Sequence, residues 1–174
     1  MLIALLNDLL TDSTRESLWS ACNSDRWSFG HSSNSNAQQV TQSFWVMDLN
    51  GNEACDELWR VAKPKCEGVI NKPLEVIRQY ANGHTYGLGG QVHADDTRAG
   101  SYTLLYYPMP EWQQIWQGET VYFDENGEIK TAVQPKPNRG VFFDSRIPHV
   151  GHAPSRYFGG LRVTVALKLK IVDN

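Results

Sequence analysis

Cysteine is scarce in this chain, and its spacing suits no cross-link. Cys22, Cys55 and Cys66 are odd in number and form no C-x-x-C pair. That argues against a disulfide framework and makes a reducing cytoplasm the expected location. Excess positive charge is also missing. Lys and Arg total 16 against 19 Asp and Glu, a net charge of -3, so nothing attracts phosphate backbones in bulk and no nucleic acid partner is expected. No apolar run reaches the length that spans a bilayer, so no membrane partner is expected either. The opening MLIALLNDLL has no positive n-region and is interrupted by Asp8, which does not suit a signal peptide. Its Leu2, Leu5, Leu6 and Leu9 recur at helical spacing and predict an amphipathic first helix. Repeats and linkers are absent too. A length of 174 residues then suits one core, so residues 1–174 are expected to form a single domain.

What the chain does have is aromatic residues, including 6 Trp and 7 Tyr, which suit strands and large pockets. RWSFG (26–30) and QSFWVMDL (42–49) read as strands, with the polar HSSNSNAQQ (31–39) as a loop between them. NEACDELWRVAK (52–63) has helical periodicity, and Pro64 is expected to close it. PLEVIRQYAN (73–82) reads as a strand. From residue 84 the texture is one of short strands: SYTLLYYP (101–108), ETVYF (119–123), IKTAVQP (129–135), RGVFFDS (139–145) and GGLRVTVALKLKI (159–171). Turn signals separate them, and FDENGEI is a hairpin candidate. Strands in series without helices between them suggest a sandwich or jelly roll behind an α/β front end.

Two stretches carry chemistry. In QVHADDTRAG (91–100), His93 and Asp95 are two apart, so on an extended strand both side chains face one way and could reach one metal ion. A solvated turn is the plain reading of the same residues. Asp96 would face the other way and serve as a turn residue, and Arg98 as a loop charge. DSRIPHVGH (144–152) offers a third ligand in His149 or His152. Two His and one carboxylate on one face of iron leave positions open for reactants. In GLRVTVALKLK, Arg162 and Thr164 alternate with Val163 and Val165. An Arg directed inward needs an anion, and a dicarboxylic acid would supply one to its guanidinium fork. A surface salt bridge to Asp124 or Glu119 is the other reading.

YGLGGQVHAD, YTLLYYP, GETVYF, PNRGVFFDSRIPH and LRVTVALK occur in that order over residues 80–170. In this the chain resembles the 2-oxoglutarate- and Fe(II)-dependent dioxygenases, in the prolyl-4-hydroxylase-like branch. The resemblance implies an α+β fold. A double-stranded β-helix, or jelly roll, would form the motif-bearing core at about 80–171, with an α/β support at 1–79 whose helices pack on the major sheet. It implies Fe(II) held by His93, Asp95 and His149, and 2-oxoglutarate as co-substrate. Arg162 would bind the far carboxylate of that co-substrate, with Thr164, Tyr107 and Tyr86 beside it. His149 is preferred to His152 because it directly follows FFDSRIP; His152 would then have a supporting or substrate-side place. Asp95 matters in itself, since halogenating relatives lack this carboxylate.

The implied activity is hydroxylation of a peptidyl prolyl or small-molecule C–H bond, with release of succinate and CO2. Trp112 and Trp116 lie in a connection where they would cap a core edge or line a pocket mouth. The rival class is a non-catalytic jelly-roll ligand-binding module. A cupin-like enzyme would call for H-x-H, which this chain lacks, and a structural zinc site would be expected to use Cys.

Overall fold

The computed structural model describes residues 1–33 and 43–172. In chain order the elements are β1 (Ile3–Asn7), α1 (Asp12–Cys22), β2 (Ser28–His31), β3 (Phe44–Asp48), α2 (Glu53–Ile70), β4 (Leu74–His84) and β5 (Ser101–Tyr107). A 3-10 turn (Gln114–Trp116) follows, then β6 (Thr120–Phe123), β7 (Ile129–Val133), β8 (Arg139–Asp144), β9 (His149–Gly151) and β10 (Arg162–Ile171). Most of the expected loop at 31–39 lies outside the described residues.

The strands form a seven-stranded sheet, in the order β1-β8-β5-β10-β4-β3-β2, and a three-stranded sheet, β7-β6-β9. All pairings are antiparallel. The period-2 rule sorts the central strand β10 cleanly. Val163, Val165, Leu167 and Leu169 join a cluster with Leu18, Cys55, Leu58 and Cys66 from the two helices, so α1 and α2 cover one face of the large sheet. Ala166 belongs to a second cluster, with Tyr122 and Val133 of the small sheet. Arg162, Thr164 and Lys168 share its face, between the sheets, and line a cavity there. One face of β10 is therefore core and the other is site.

Three local expectations are corrected. The leucine-rich opening is not a helix but β1, paired with β8 from Ile3↔Phe143 to Asn7↔Arg139. It covers the edge of β8, and that tertiary pairing overrides the helical spacing. The first helix begins later, where Thr11 Oγ1 accepts from the Thr14 amide at 3.3 Å. Pro64 does not close α2; it lies inside it. The apolar stripe Cys55, Leu58, Ala62, Cys66 continues past the proline and is fully buried, so packing offsets a cost of about 3 kcal/mol. Lastly, His93 and Asp95 do not sit on a strand. His93 makes an isolated bridge to His149, with both backbone hydrogen bonds at 2.9–3.0 Å, and the Asp95 amide donates to Ser145 O at 2.8 Å.

Candidate active site

The cavity floor is a ladder of cross-strand pairs between β10 and β4: Arg162↔His84, Thr164↔Asn82, Ala166↔Tyr80 and Lys168↔Arg78. The cavity measures about 250 Å³. His93, Asp95 and His149 line its opposite wall, brought together by the bridge that ties residue 93 to β9.

The trio has the form of a metal site. One ligand atom from each residue lies within 4.8 Å of the others. The His93 Nε2 is 3.3 Å from Asp95 Oδ1, and the His149 Nε2 is 3.7 Å from Asp95 Oδ2. Each ring is oriented by the carbonyl two residues before it: His93 Nδ1 meets Gln91 O at 2.8 Å and His149 Nδ1 meets Ile147 O at 2.9 Å. A carbonyl only accepts, so both Nδ1 atoms carry a proton, which leaves the Nε2 of each ring, on the side of the carboxylate, as the atom that can ligate. Burial drives the His149 pKa down to about 4, which keeps this ring neutral at pH 7. Burial alone would raise the Asp95 pKa, but the charge of Lys168, the His93 bond and His149 hold it well below the ordinary carboxylate range. The donor set is thus two imidazoles, each presenting Nε2, and one carboxylate. It fits an open-sided divalent metal such as Fe(II).

Arg162 stands at the other end of the floor and is only 1% exposed. Its Nε donates to Gly118 O at 2.6 Å and its Nη2 to Thr120 Oγ1 at 3.1 Å, while Nη1 lies 3.4 Å from His84 Nδ1. No salt bridge to Asp124 or Glu119 forms. Burial lowers the His84 pKa to about 3, with Arg162 adding to the effect, so this imidazole is neutral. A buried guanidinium with only neutral partners is an anion receptor. The site also has unsatisfied acceptors and donors around it, since His84 Nε2 and Asn82 Oδ1 have no hydrogen-bond partner.

The other expected residues divide. Thr164 lines the cavity next to Arg162. Tyr107 is completely buried behind it, where its hydroxyl donates to Thr120 Oγ1 at 2.8 Å and its ring lies 5.8 Å from the Arg162 guanidinium carbon. Its place is to support the Arg162 partners from beneath. Tyr86 is a correction. It is 64% exposed and lines a separate surface groove with Ile115 and Tyr157, because β4 ends at His84 and the chain turns back through the Thr85↔Leu88 bridge and Gly87 (φ 77°). His152 is exposed, beyond the end of β9. Asp96 accepts from the Thr97 and Arg98 amides and pairs with the exposed Arg98 at 2.7 Å, as a turn residue does. Trp112 and Trp116 pack with Phe158 at centroid distances of 4.8 Å each.

Several site residues escaped the sequence reading. Lys168 ion-pairs with Asp95, and Thr103 Oγ1 donates to the same Asp95 oxygen at 2.7 Å. Burial would lower the Lys168 pKa, but Tyr80 and Asp95 hold it above its ordinary value. Lys168 was within reach of the alternation rule, since it continues the series Arg162, Thr164, Ala166. Thr103, Thr120 and His84 gave no local signal.

The sequence profile of the 2OG-Fe(II) oxygenase superfamily matches residues 78–167, just over half of the chain. The chain belongs to that superfamily. The match spans β4 to β10, and so covers the sheet floor, the trio and the arginine of this oxygenase. No curated protein matches it by sequence. Solved structures share its fold. A Pseudomonas putida prolyl-4-hydroxylase superposes with a TM-score of 0.72 at 16% identity, covering 98% of this chain and 93% of the other. A Trichoplax adhaerens prolyl hydroxylase, solved with a hypoxia inducible factor oxygen degradation domain peptide fragment, gives 0.69 at 18%, covering 97% and 83%. The α-ketoglutarate-dependent carbocyclase SnoK from nogalamycin biosynthesis gives 0.74 at 11%, covering 98% and 80%. The fold is therefore the double-stranded β-helix of these oxygenases, with the two helices packed on its large sheet.

Proposed function

We propose that this oxygenase is a hydroxylase in which His93, Asp95 and His149 hold Fe(II), and Arg162 and Thr164 bind the far carboxylate of 2-oxoglutarate. The overall change is R–H + O2 + 2-oxoglutarate → R–OH + succinate + CO2. One oxygen atom enters the product and the other enters succinate. The iron, when bound, supplies the activation of O2 and the oxidation of the C–H bond. The protein's own residues bind and orient. The carbonyls of Gln91 and Ile147 keep both imidazoles in the ligating tautomer. Arg162, fixed by Gly118 O and Thr120, fits one end of a dicarboxylate and directs its other end along β10 toward the trio. Behind the cavity lining, the buried Tyr107 holds Thr120 through its hydroxyl, and the buried Phe143 packs edge-on against the His149 ring at 4.8 Å.

The observation that carries this reading is the pairing of two imidazoles and a carboxylate, with ligand atoms within 4.8 Å of one another, with a buried arginine that has no carboxylate partner of its own. A binding module that does no chemistry would need neither. The substrate is a peptidyl prolyl or a small molecule. Residues 1–174 act as one domain, and three buried, unpaired thiols support a cytoplasmic setting. The experiment is succinate release and O2 uptake by the Fe(II)-loaded protein, across free amino acids, small carboxylic acids and proline-containing peptides. Iron-dependent succinate that rises with one class supports the reading; no succinate under any condition removes it.

A further inference from the structure

The floor of the cavity ends in two cations. Arg78 of β4 stands directly across from Lys168 of β10 on the face that lines the cavity. Like charges directly opposite on one sheet face repel. Lys168 is neutralised by Asp95. Among the described residues no carboxylate pairs with Arg78. Its guanidinium carbon lies 4.4 Å over the Tyr80 ring, which leaves the edges of the fork free. The neighbouring Asp48 forms no ion pair with it and turns its Oδ1 to Asn50 instead, accepting from that residue's amide at 3.0 Å and from its Nδ2 at 2.7 Å. His31 adds a third basic group at this mouth, packed edge-on against Phe44 and Tyr80. After burial, the charges of Arg78, His93 and Lys168 all push the His31 pKa down, so positive potential converges here.

The two ends of the ladder do different work. Arg162 lies at one end and Arg78 at the other, six residues along the strands, or roughly 20 Å. The trio lies between the two ends: the tip of the long Lys168 side chain reaches Asp95 from one side, and on the other a Cβ at Gly151, two residues past His149, would lie 3.6 Å from Arg162 Nη1. The co-substrate occupies the Arg162 side, which leaves the Arg78 side for the molecule that is oxidised.

Resting on the hydroxylase reading above, we propose that the Arg78 mouth is a carboxylate subsite. The oxidised molecule is then a free amino acid or another small carboxylic acid, bound by its carboxylate to Arg78, and not an internal residue of a peptide. One free guanidinium fork matches one carboxylate in a two-bond contact. A cavity of about 250 Å³ shared with the co-substrate suits a compact molecule.

The test uses the full chain loaded with Zn(II) and saturating 2-oxoglutarate, so that binding is read without turnover. Calorimetry compares each of the common free amino acids with its amide, and adds N-acetyl-prolinamide as a peptide mimic. At least one acid should bind tenfold or more tightly than its amide. Arg78→Gln should remove that preference, and Arg78→Lys should retain part of it. If no acid is preferred tenfold over its amide, or the preference survives in Arg78→Gln, the subsite assignment is overturned. N-acetyl-prolinamide binding as well as the best acid would overturn it in favour of a peptide. The separate binding of 2-oxoglutarate to the Zn(II) protein keeps the two claims apart. Where it binds and the acids do not, only the subsite is lost; where it does not bind, the hydroxylase reading falls with it.

Discussion

The Lys168 ammonium meets Asp95 on Oδ2, the same oxygen that accepts from Thr103 at 2.7 Å, while Oδ1 lies 3.3 Å from His93. The carboxylate is thus held from behind by a cation and a hydroxyl, with its other oxygen turned to the imidazole. The side chain of Asp95 is 6% exposed and that of Lys168 17%. Lys168→Met would leave the carboxylate without its counter-charge in the metal-free protein. The expected loss of stability is up to about 3 kcal/mol, because a buried pair broken on one side leaves a lone charge. A divalent ion would then be the main counter-charge for Asp95. The rise in Tm on adding Zn(II) should therefore be larger in Lys168→Met than in the wild type, as read by calorimetric melts of both proteins.

The metal trio makes a simpler demand. His93→Ala, Asp95→Ala and His149→Ala should each weaken Mn(II) or Zn(II) binding by about a hundredfold or more, beyond the 10–100-fold seen when only a supporting partner is lost. His152→Ala should bind metal as the wild type does, since its ring is exposed outside the cavity. Equilibrium dialysis against each ion separates the four variants. Full affinity in His149→Ala with loss in His152→Ala would reverse the assignment.

At the far end, Gly118 gives a second route to Arg162. Its φ is 79°, and a Cβ there would lie 2.9 Å from Arg162 Cδ. Gly118→Ala should strain the turn by roughly 1 kcal/mol or more and displace the guanidinium. Arg162→Ala should raise the KM for 2-oxoglutarate about tenfold or more, with Arg162→Lys between it and the wild type. Gly118→Ala should move KM in the same direction while Zn(II) affinity stays unchanged. Succinate release against 2-oxoglutarate concentration, beside a metal titration, reads both.

Acid should destabilise the metal-free protein through its buried imidazoles. Burial depresses the His84 pKa from 6.5 in a free side chain to about 3. The unfolded chain binds the proton first, so the contribution of neutral His84 is present above pH 6.5 and is lost as pH falls toward 3. Urea unfolding between pH 7 and pH 4.5 should show stability falling with pH, and His84→Gln should flatten that slope. An unchanged slope in the variant would mean that His84 takes no proton on unfolding.

The alternation in LRVTVALKLK was enough to separate core from site along β10, because a central strand buried on both faces leaves its polar residues only one place to go. The same rule reaches Lys168 if it is continued two steps past Ala166. The leucines at positions 2, 5, 6 and 9 misled because a strand that covers a sheet edge takes its conformation from its partner, and Phe143 is 140 residues away. His93 and Asp95 come together through the bridge to His149 and the amide bonds to Ser145, not through a strand of their own. Tyr86 was placed by its nearness in sequence to the H-x-D, but a turn after His84 directs it to solvent. His84, Thr103 and Thr120 belong to the site only through strand pairing, and no local pattern marks them.

The central claim is that one dicarboxylate is gripped at both ends, by a metal on the His93–Asp95–His149 trio and by Arg162. Calorimetric titration of the Zn(II)-loaded and metal-free protein with 2-oxoglutarate and with 2-oxobutyrate, which lacks the second carboxylate, tests it most directly. The account predicts that 2-oxoglutarate binds only weakly without the metal, and that 2-oxobutyrate binds the loaded protein at least tenfold more weakly than 2-oxoglutarate, a gap that Arg162→Ala closes. Equal binding of the two acids to the loaded wild type, or 2-oxoglutarate binding that ignores the metal, would contradict it.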